Sequence, residues 1–477
     1  MKKFITTPIY YVNDIPHIGH AYTTIAADVL SRYWREKGEE VFFLTGTDEH
    51  GAKIAEAAEK ANKSPKEFVD ELALKFKEAW KNLNIENSEF FRTTNPEHEK
   101  LVQELVGKLF DKGLIEKRKY EGLYCVGCEK YIKESELVNG MCPDHPNPPI
   151  KQSEENYFFK LSNFSDQILE KIESGEIEIG PESRKNEVIG KIKQGLEDVS
   201  ISRAAVSWGI KFPGDETQTI YVWVDALFNY YTATKIYKRE DLWPADIHLI
   251  GKDILWFHAV IWPAILIALD LPLPKKIFAN GYFTVGGRKM GKSLGNAIDP
   301  NEMVKKYGAD ALRYAVLREF PFGEDGDISE EKIAGRYKND LADGLGNLLQ
   351  RTLTMIKKYD VEIDKERKSK MTVSDNIGSR NFDEEYEDNI KKLQFDEILS
   401  DIWLMYVKQT NQLIDSEKPW KLAETNIDKL NSVLSYAYND LSKIAEYIKP
   451  FMPETAEKMK KQLETLEPEP LFPRLEN

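Results

Sequence analysis

Phe4-Ile5-Thr6-Thr7-Pro8-Ile9-Tyr10-Tyr11-Val12 is a run of β-branched and aromatic residues, and a few positions later the chain reads His17-Ile18-Gly19-His20. The first stretch predicts a buried strand over residues 4–12. Asn13, Asp14 and Pro16 supply a turn, and a helix is expected over residues 20–37, with Ile25, Val29 and Tyr33 on one stripe and Gly38 as its stop signal. Val41-Phe42-Phe43-Leu44 reads as the next strand. Strand, helix and strand in this order make a βαβ opening, which is right-handed and belongs to a parallel sheet. The histidine pair sits at the handover from strand to helix. There an imidazole N–H can donate to a phosphate, and the helix terminus adds its own donors and partial positive charge. Gly19 has no Cβ, so a nucleotide can lie close to the backbone. His17 and His20 are therefore candidates to stabilise charge on an α-phosphate. A surface turn or a pair of metal ligands fits the same four letters; the position after the first strand favours phosphate.

Working outward, helical pattern continues to about residue 114, with a cap at Ser64-Pro65. Residues 116–214 read differently, with short strands, a cysteine knuckle and a proline cluster at residues 146–149, as an insertion would. Strand and helix patterns resume at residues 219–224 and 247–250. From Asp299-Pro300, an N-cap followed by proline at the first helical position, the chain is almost wholly helical. Phe395, Ile398, Leu399, Ile402, Tyr406 and Leu413 form one helical stripe, and residues 365–388 are expected to be an exposed loop.

The chain has 477 residues, enough for three or four folded units. Its 41% hydrophobic and 31% charged content describes a globular protein with several cores. A formal charge of −14 argues against indiscriminate nucleic-acid binding but leaves room for a local basic stripe. No apolar run approaches a membrane span, and the N-terminus is neither a signal nor a transit peptide, so no membrane partner and a cytoplasmic location are expected.

Lys289-Met290-Gly291-Lys292-Ser293 follows directly on Val285-Gly286-Gly287-Arg288. A mobile glycine-containing loop with two ammonium groups can close on β- and γ-phosphates and neutralise departing pyrophosphate. Gly286 to Ser293 also fits G-x-x-x-x-G-K-S, the phosphate loop of another ATPase class. That loop needs a helix directly after its serine, whereas Leu294-Gly295-Asn296-Ala297-Ile298-Asp299 delays the helix to Pro300.

The only three cysteines, Cys125, Cys128 and Cys142, join His145 in Cys-x-x-Cys and Cys-x-x-His pairs separated by 13 residues. Such a set closes a tetrahedral structural zinc site and indicates a reducing compartment. Two chance short spacings are the alternative, but they would have to absorb every cysteine. Ile254, His258 and Trp262 recur every fourth residue, and Trp223, Leu227 and Tyr230 share a second helical face. Taken bare, such aromatics fit core packing as well as a ligand pocket.

The paired signatures, in this order, resemble the nucleotide-binding motifs of class I aminoacyl-tRNA synthetases, and the whole chain is similar to the methionyl-tRNA synthetase family. The most specific segments are residues 8–20, 43–51, the cysteine knuckle, 221–230, 251–262 and 289–296. The resemblance implies a Rossmann-like parallel-sheet catalytic domain split by a zinc-bearing insertion, followed by an all-α helical-bundle anticodon-binding domain. Expected boundaries are residues 1–115 and 215–285 for the catalytic domain and 116–214 for the insertion. A stem-contact segment with the lysine loop takes 286–346, and the helical domain 347–477. It implies that His17, His20, Lys289 and Lys292 act on the phosphates, and that Gly19, Asp253 and Ser293 bind ATP, Asp253 at the ribose. Ile9, Tyr11, Asp48, Trp223, Ala226, Leu227, Tyr230, Ile254, His258 and Trp262 would line the methionine site, with Tyr11 and His258 near the sulfur and Asp48 on the ammonium. Asn347, Arg351 and Trp420 would meet the anticodon. Expected cofactors are one structural Zn2+ held by Cys125, Cys128, Cys142 and His145, and Mg2+ with ATP; expected partners are ATP, L-methionine and tRNA(Met). Because no C-terminal dimerisation domain is seen, a monomer is expected. Gly291 replaces the serine usual in the family's loop and removes one hydroxyl. The rival readings are a cysteinyl-tRNA synthetase, a phosphate-loop NTPase and a zinc-knuckle RNA-binding protein without catalysis.

Overall fold

A computed structural model describes residues 1–125, 130–132, 134, 137–143, 148–204, 206–290, 296–366 and 382–474. Among them, six strands form the main sheet: β1 Lys2–Tyr11, β2 Glu40–Asp48, β3 Glu89–Arg92, β4 Glu178–Gly180, β5 Ile247–Gly251 and β6 Lys276–Asn280. Their spatial order is β3-β2-β1-β5-β6-β4. The β1–β2, β1–β5, β2–β3 and β4–β6 pairings are parallel. The first strand is nearly all buried because its Phe, Ile and Thr side chains meet apolar layers on both faces, as parallel sheets require. Its register with β2 shifts between Thr6 and Ile9. Pro8 lies in that irregularity and has no N–H to give the ladder. The shift leaves Tyr11 opposite Asp48 at the carboxyl ends of both strands.

Several local expectations change. The long helical run is broken by Glu89–Arg92, a four-residue strand too short to show a period. The cap at Ser64 is present: its Oγ accepts from Glu67 N at 3.3 Å, and Glu67 Oε2 accepts from Ser64 N at 3.0 Å. Within the 116–214 stretch, Ile115–Cys125 pairs antiparallel with Ile150–Phe159, whereas Glu178–Gly180 is an edge strand of the main sheet. The strand before the first aromatic helix ends at Ile220, and Val222 already begins the helix Val222–Ile236. Residues 382–388, expected in a loop, belong to the helix Phe382–Lys392.

The chain divides into two compact units. One comprises Met1–Ile15, Glu39–Lys77 and Asn87–Ala279; the other Pro16–Gly38, Glu78–Glu86 and Asn280–Asn477. The first holds the main sheet and a continuous apolar core running from Phe4 through Trp262 to Ala279. The second is mostly helical, and the helix Ile18–Glu36 is tied into it by charge. Arg313, fully buried, contacts Asp28 Oδ2 at 2.7 Å and donates to the carbonyls of Leu83, Pro450 and Phe451. Arg32 approaches the same carboxylate at 2.7 Å. Removing one partner of such a buried pair costs roughly 3–5 kcal/mol, because the other charge is left uncompensated. In the C-terminal helices the expected stripe holds through Phe395, Ile398, Leu399, Ile402 and Tyr406, but Leu413 is only half-buried, and Val407, Thr410 and Ile414 are the buried positions that follow. A π-turn over Ile402–Lys408 inserts the residue that causes the slip. No helix of the described residues is long and apolar enough to cross a membrane.

Candidate active site

In open α/β sheets, ligands bind beyond the carboxyl ends of the strands, where the strand order reverses. Here the reversal falls between β1 and β5, and the strand ends there are Tyr11 and Gly251, with Asp48 beside Tyr11. Asp48 is 6% exposed. After β5 the chain turns tightly at Lys252–Ile254. A Cβ on Gly251 would come within 2.7 Å of Asp253 Oδ1, so glycine is what lets the exposed Asp253 carboxylate fold back over the strand end. The π-turn Phe257–Ile261 follows, a deformation frequent at functional sites.

The sheet unit brings together the aromatic residues that sequence spacing grouped. The helix Val222–Ile236 buries Ala226, Leu227 and Tyr230, while Trp223 is half-buried and stacks on Phe257, with centroids 4.1 Å apart and planes 11° apart. Trp262 is fully buried and meets the ring edges of Phe228 and Trp243. Ile9, Tyr11 and Ile254 are half-buried. Tyr230 OH lies 2.8 Å from His258 Nε2, and His258 Nδ1 lies 3.0 Å from the Ile254 carbonyl oxygen. A carbonyl only accepts, so Nδ1 carries the ring proton and Nε2 accepts from the tyrosine hydroxyl. Burial pushes the His258 imidazole down to about 4 and the Tyr230 phenol up, so both are neutral near pH 7. The result is an aromatic enclosure whose inner polar pair satisfies itself.

His248 was missed by the sequence reading. It stands on β5 directly opposite Thr6, whose Oγ1 is 2.6 Å from its Nδ1, and its ring lies 4.4 Å from that of Tyr230. Burial, followed by the neighbouring His258, holds it well below the ordinary histidine value. Its alternation with Leu249 along the strand was the available signal, but both strand faces are buried, so period gave no distinction. Also missed was a carboxylate between two imidazoles: Asp225 Oδ2 lies 2.7 Å from His50 Nδ1, and Oδ1 lies 2.7 Å from His98 Nε2. All three are at most 3% exposed. Burial opposes charge there, yet the contacts prevail, holding His50 above and Asp225 below their ordinary values.

The two signatures fall in the helical unit. His17 caps the helix Ile18–Glu36: its Nδ1 accepts from Gly19 N at 3.1 Å, while His20 Nδ1 accepts from His17 N at 3.3 Å. Both ring protons therefore sit on Nε2. The rings stack with centroids 3.7 Å apart, and a Cβ on Gly19 would press to 2.9 Å from His17 Cε1, so a side chain there would displace the capping ring. Ile18 N donates to the Ile298 carbonyl at 3.0 Å, which brings the helix start to the chain leaving the lysine loop. Gly286 and Gly287, with φ of +59° and +73°, form a two-residue turn between Phe283–Val285 and Arg288–Lys289. This hairpin places Gly286 and Gly287 between two paired strands, an arrangement that does not favour the alternative phosphate-loop architecture. That motif needs an open strand-to-helix turn, and here the helix begins only at Pro300, capped by Asp299. Lys292 and Ser293 lie outside the described residues, as does the side chain of Lys289.

Cys125 and Cys142 share one small buried cluster with Ile132. Cys128 and His145 lie outside the described residues, and no group of three or more His, Cys, Asp or Glu suited to a metal occurs among those described. In the helical unit Asn347 is exposed, Arg351 pairs with Asp415 at 2.7 Å, and Trp420 is 43% exposed.

The family model described as tRNA synthetases class I (M) matches residues 3–148 and 144–353. The methionine–tRNA ligase of Caldanaerobacter subterraneus subsp. tengcongensis is 48% identical over 474 residues, covering 97% of this chain and 74% of that one. The methionine–tRNA ligase of Thermotoga maritima is 44% identical over 488 residues, covering 100% and 77%. The solved structure of Mycobacterium tuberculosis methionyl-tRNA synthetase in complex with methionyl-adenylate superposes with a TM-score of 0.91 at 35% identity, covering 99% of this chain and 100% of that one. With its parallel sheet, its histidine-capped helix and these relatives over nearly its whole length, the chain belongs to the methionyl family of class I aminoacyl-tRNA synthetases.

Proposed function

We propose that this chain is a methionine–tRNA ligase working in two steps. In the first, a methionine carboxylate oxygen attacks the α-phosphorus of MgATP, forming methionyl-adenylate as the bond to pyrophosphate breaks. In the second, a ribose hydroxyl of the terminal adenosine of tRNA(Met), the 2′-hydroxyl first, attacks the carbonyl carbon and AMP leaves. The observation that carries this reading is the buried aromatic cluster around the neutral Tyr230–His258 pair, at the strand ends that also present Asp48. A thioether asks for polarizable apolar walls and no strong donor. Trp223, Trp262, Leu227, Ala226, Ile9 and Ile254 supply such walls. Asp48 is suited to the ammonium group and Asp253 to the ATP ribose. Tyr11 and His258 are assigned to the sulfur. His17 and His20, with Nε2–H outward from the capping bonds, donate to phosphate as charge grows in the transition state, and Lys289 and Lys292 neutralise the β- and γ-phosphates. Asn347, Arg351 and Trp420 are assigned to the anticodon.

The knuckle is assigned one structural zinc. Two thiols already buried in one cluster fit a Cys3His set, and a bound zinc would fix that small subdomain without entering the chemistry. Metal analysis should find one equivalent per chain, lost in Cys142→Ser; a fully active protein without metal would reject this assignment. For the activity, pyrophosphate exchange into ATP is measured with each of the twenty amino acids. Exchange should depend on L-methionine, and best exchange with cysteine would transfer the chain to the cysteinyl reading.

A further inference from the structure

Asp225 and Thr232, seven residues apart, share the face of the Val222–Ile236 helix opposite Trp223, Leu227 and Tyr230. From that rear face Asp225 grips two other segments. His50, two residues after Asp48, reaches its Oδ2; His98, on the helix Pro96–Asp111, reaches its Oδ1 and lies 2.7 Å from Thr232 Oγ1 through its other nitrogen. The residue between Asp48 and His50 is held as firmly. Arg92 donates to both oxygens of Glu49 at 2.6 and 2.9 Å, and Trp208 Nε1 donates to the Glu49 carbonyl at 2.6 Å. The chain leaving β2 is thus fixed at two consecutive side chains immediately past Asp48.

A carboxylate sealed between two imidazoles loses its hydration, and well-packed apolar residues of similar volume usually stabilise a core as well or better. What the polar clamp supplies instead is register: one directional bond holds the loop, and two hold the helix Pro96–Asp111, against the same helix. We infer that Asp225 is a positioning residue for the amino-acid site, acting through His50 to set the distance between the Asp48 carboxylate and the aromatic wall on its own helix. This rests on the methionine reading above. The residue touches no substrate; its effect falls on methionine binding and spares ATP.

The test uses geometry-matched variants. Asn places a donor nitrogen where the His50 Nδ1 stands, and Leu fills the volume without one. In methionine-dependent pyrophosphate exchange, His50→Leu and Asp225→Ala should raise the KM for methionine roughly tenfold, as loss of a buried hydrogen bond commonly does, with kcat and the KM for ATP within about threefold. His50→Asn should stay within about threefold of the parent KM. His98→Gln, which keeps the nitrogen facing Asp225, should do the same. Where Asp225→Ala fails to fold, the His50 pair decides. A lowered melting temperature with unchanged methionine KM in His50→Leu overturns the inference, because it leaves only a structural role. Equal KM increases in His50→Asn and His50→Leu overturn it too, since the donor would then be irrelevant. A parent protein with no methionine-dependent exchange refutes the functional reading itself, a result distinct from either.

Discussion

The aromatic cluster of the sheet unit and the histidine signature of the helical unit both rest on imidazoles, but the two units use them in opposite ways. In the sheet unit, His258 is sealed from solvent, accepts from Tyr230 and gives its proton to the Ile254 carbonyl. In the helical unit, His17 and His20 are half-buried and use Nδ1 to cap their own helix, which turns the Nε2–H groups outward. The first arrangement spends both ring nitrogens on buried partners; the second spends Nδ1 on the helix start and keeps the ring proton on Nε2. A thioether is recognised by what surrounds it and a phosphate by what donates to it, so in the function proposed above one residue type would serve both through burial and tautomer.

The sharpest way to break this comparison is His20→Ala. If the ring donates mainly in the transition state, adenylate formation should fall by about 2.7–4 kcal/mol, or 10²–10³-fold, with little change in methionine affinity. Single-turnover kinetics and equilibrium methionine binding separate the two, and an unchanged rate removes the phosphate role.

The sealed histidine is tested by pH. His258 is held at about 4 in the folded chain against 6.5 for an ordinary imidazole. As pH falls from 6.5 to 4 the unfolded chain takes up a proton that the folded chain refuses, so stability is lost on acidification and is fully present above 6.5. The total is on the order of 3 kcal/mol. Thermal melts at pH 7, 5.5 and 4 should show this acid loss for the parent, and a smaller one for His258→Gln, which carries no titrating ring. Identical slopes would mean that His258 does not remain neutral.

The smallest effect concerns the far end of the helical unit. Trp420 follows Lys418, in left-handed backbone, and Pro419, and its exposure suits base stacking. Trp420→Ala should lose about 1–3 kcal/mol in kcat/KM for tRNA charging, or 5- to 150-fold, with methionine activation and melting temperature nearly unchanged. A lower melting temperature together with a slower activation step would return the indole to a structural role.

Much of this was legible in the chain because it depends on local grammar. The β-branched run before His17, the cap at Ser64-Pro65, the Asp299-Pro300 helix start and the four-residue spacing of aromatics each follow from short-range sterics or helical period. What escaped had no local signature. Glu89–Arg92 becomes a strand only because β2 offers its edge. Burial of Ile414 in place of Leu413 follows a π-turn over Ile402–Lys408 that no local pattern announces. Gly286 and Gly287 become a hairpin turn in positive φ only because the strands on either side pair.

The sequence by itself determined a parallel α/β core opening on a histidine-capped helix, a helical C-terminal region and the family. Those follow from hydrophobic period, capping chemistry and motif order, which are properties of neighbouring residues. Tertiary structure alone decided which histidines donate and which are silenced. His50, His98 and Asp225 are scattered over 175 positions, and His248 meets Thr6 only across a parallel strand pair. The protonation of an imidazole is set by the water it has lost and the atoms it faces, and both are known only once distant segments have packed.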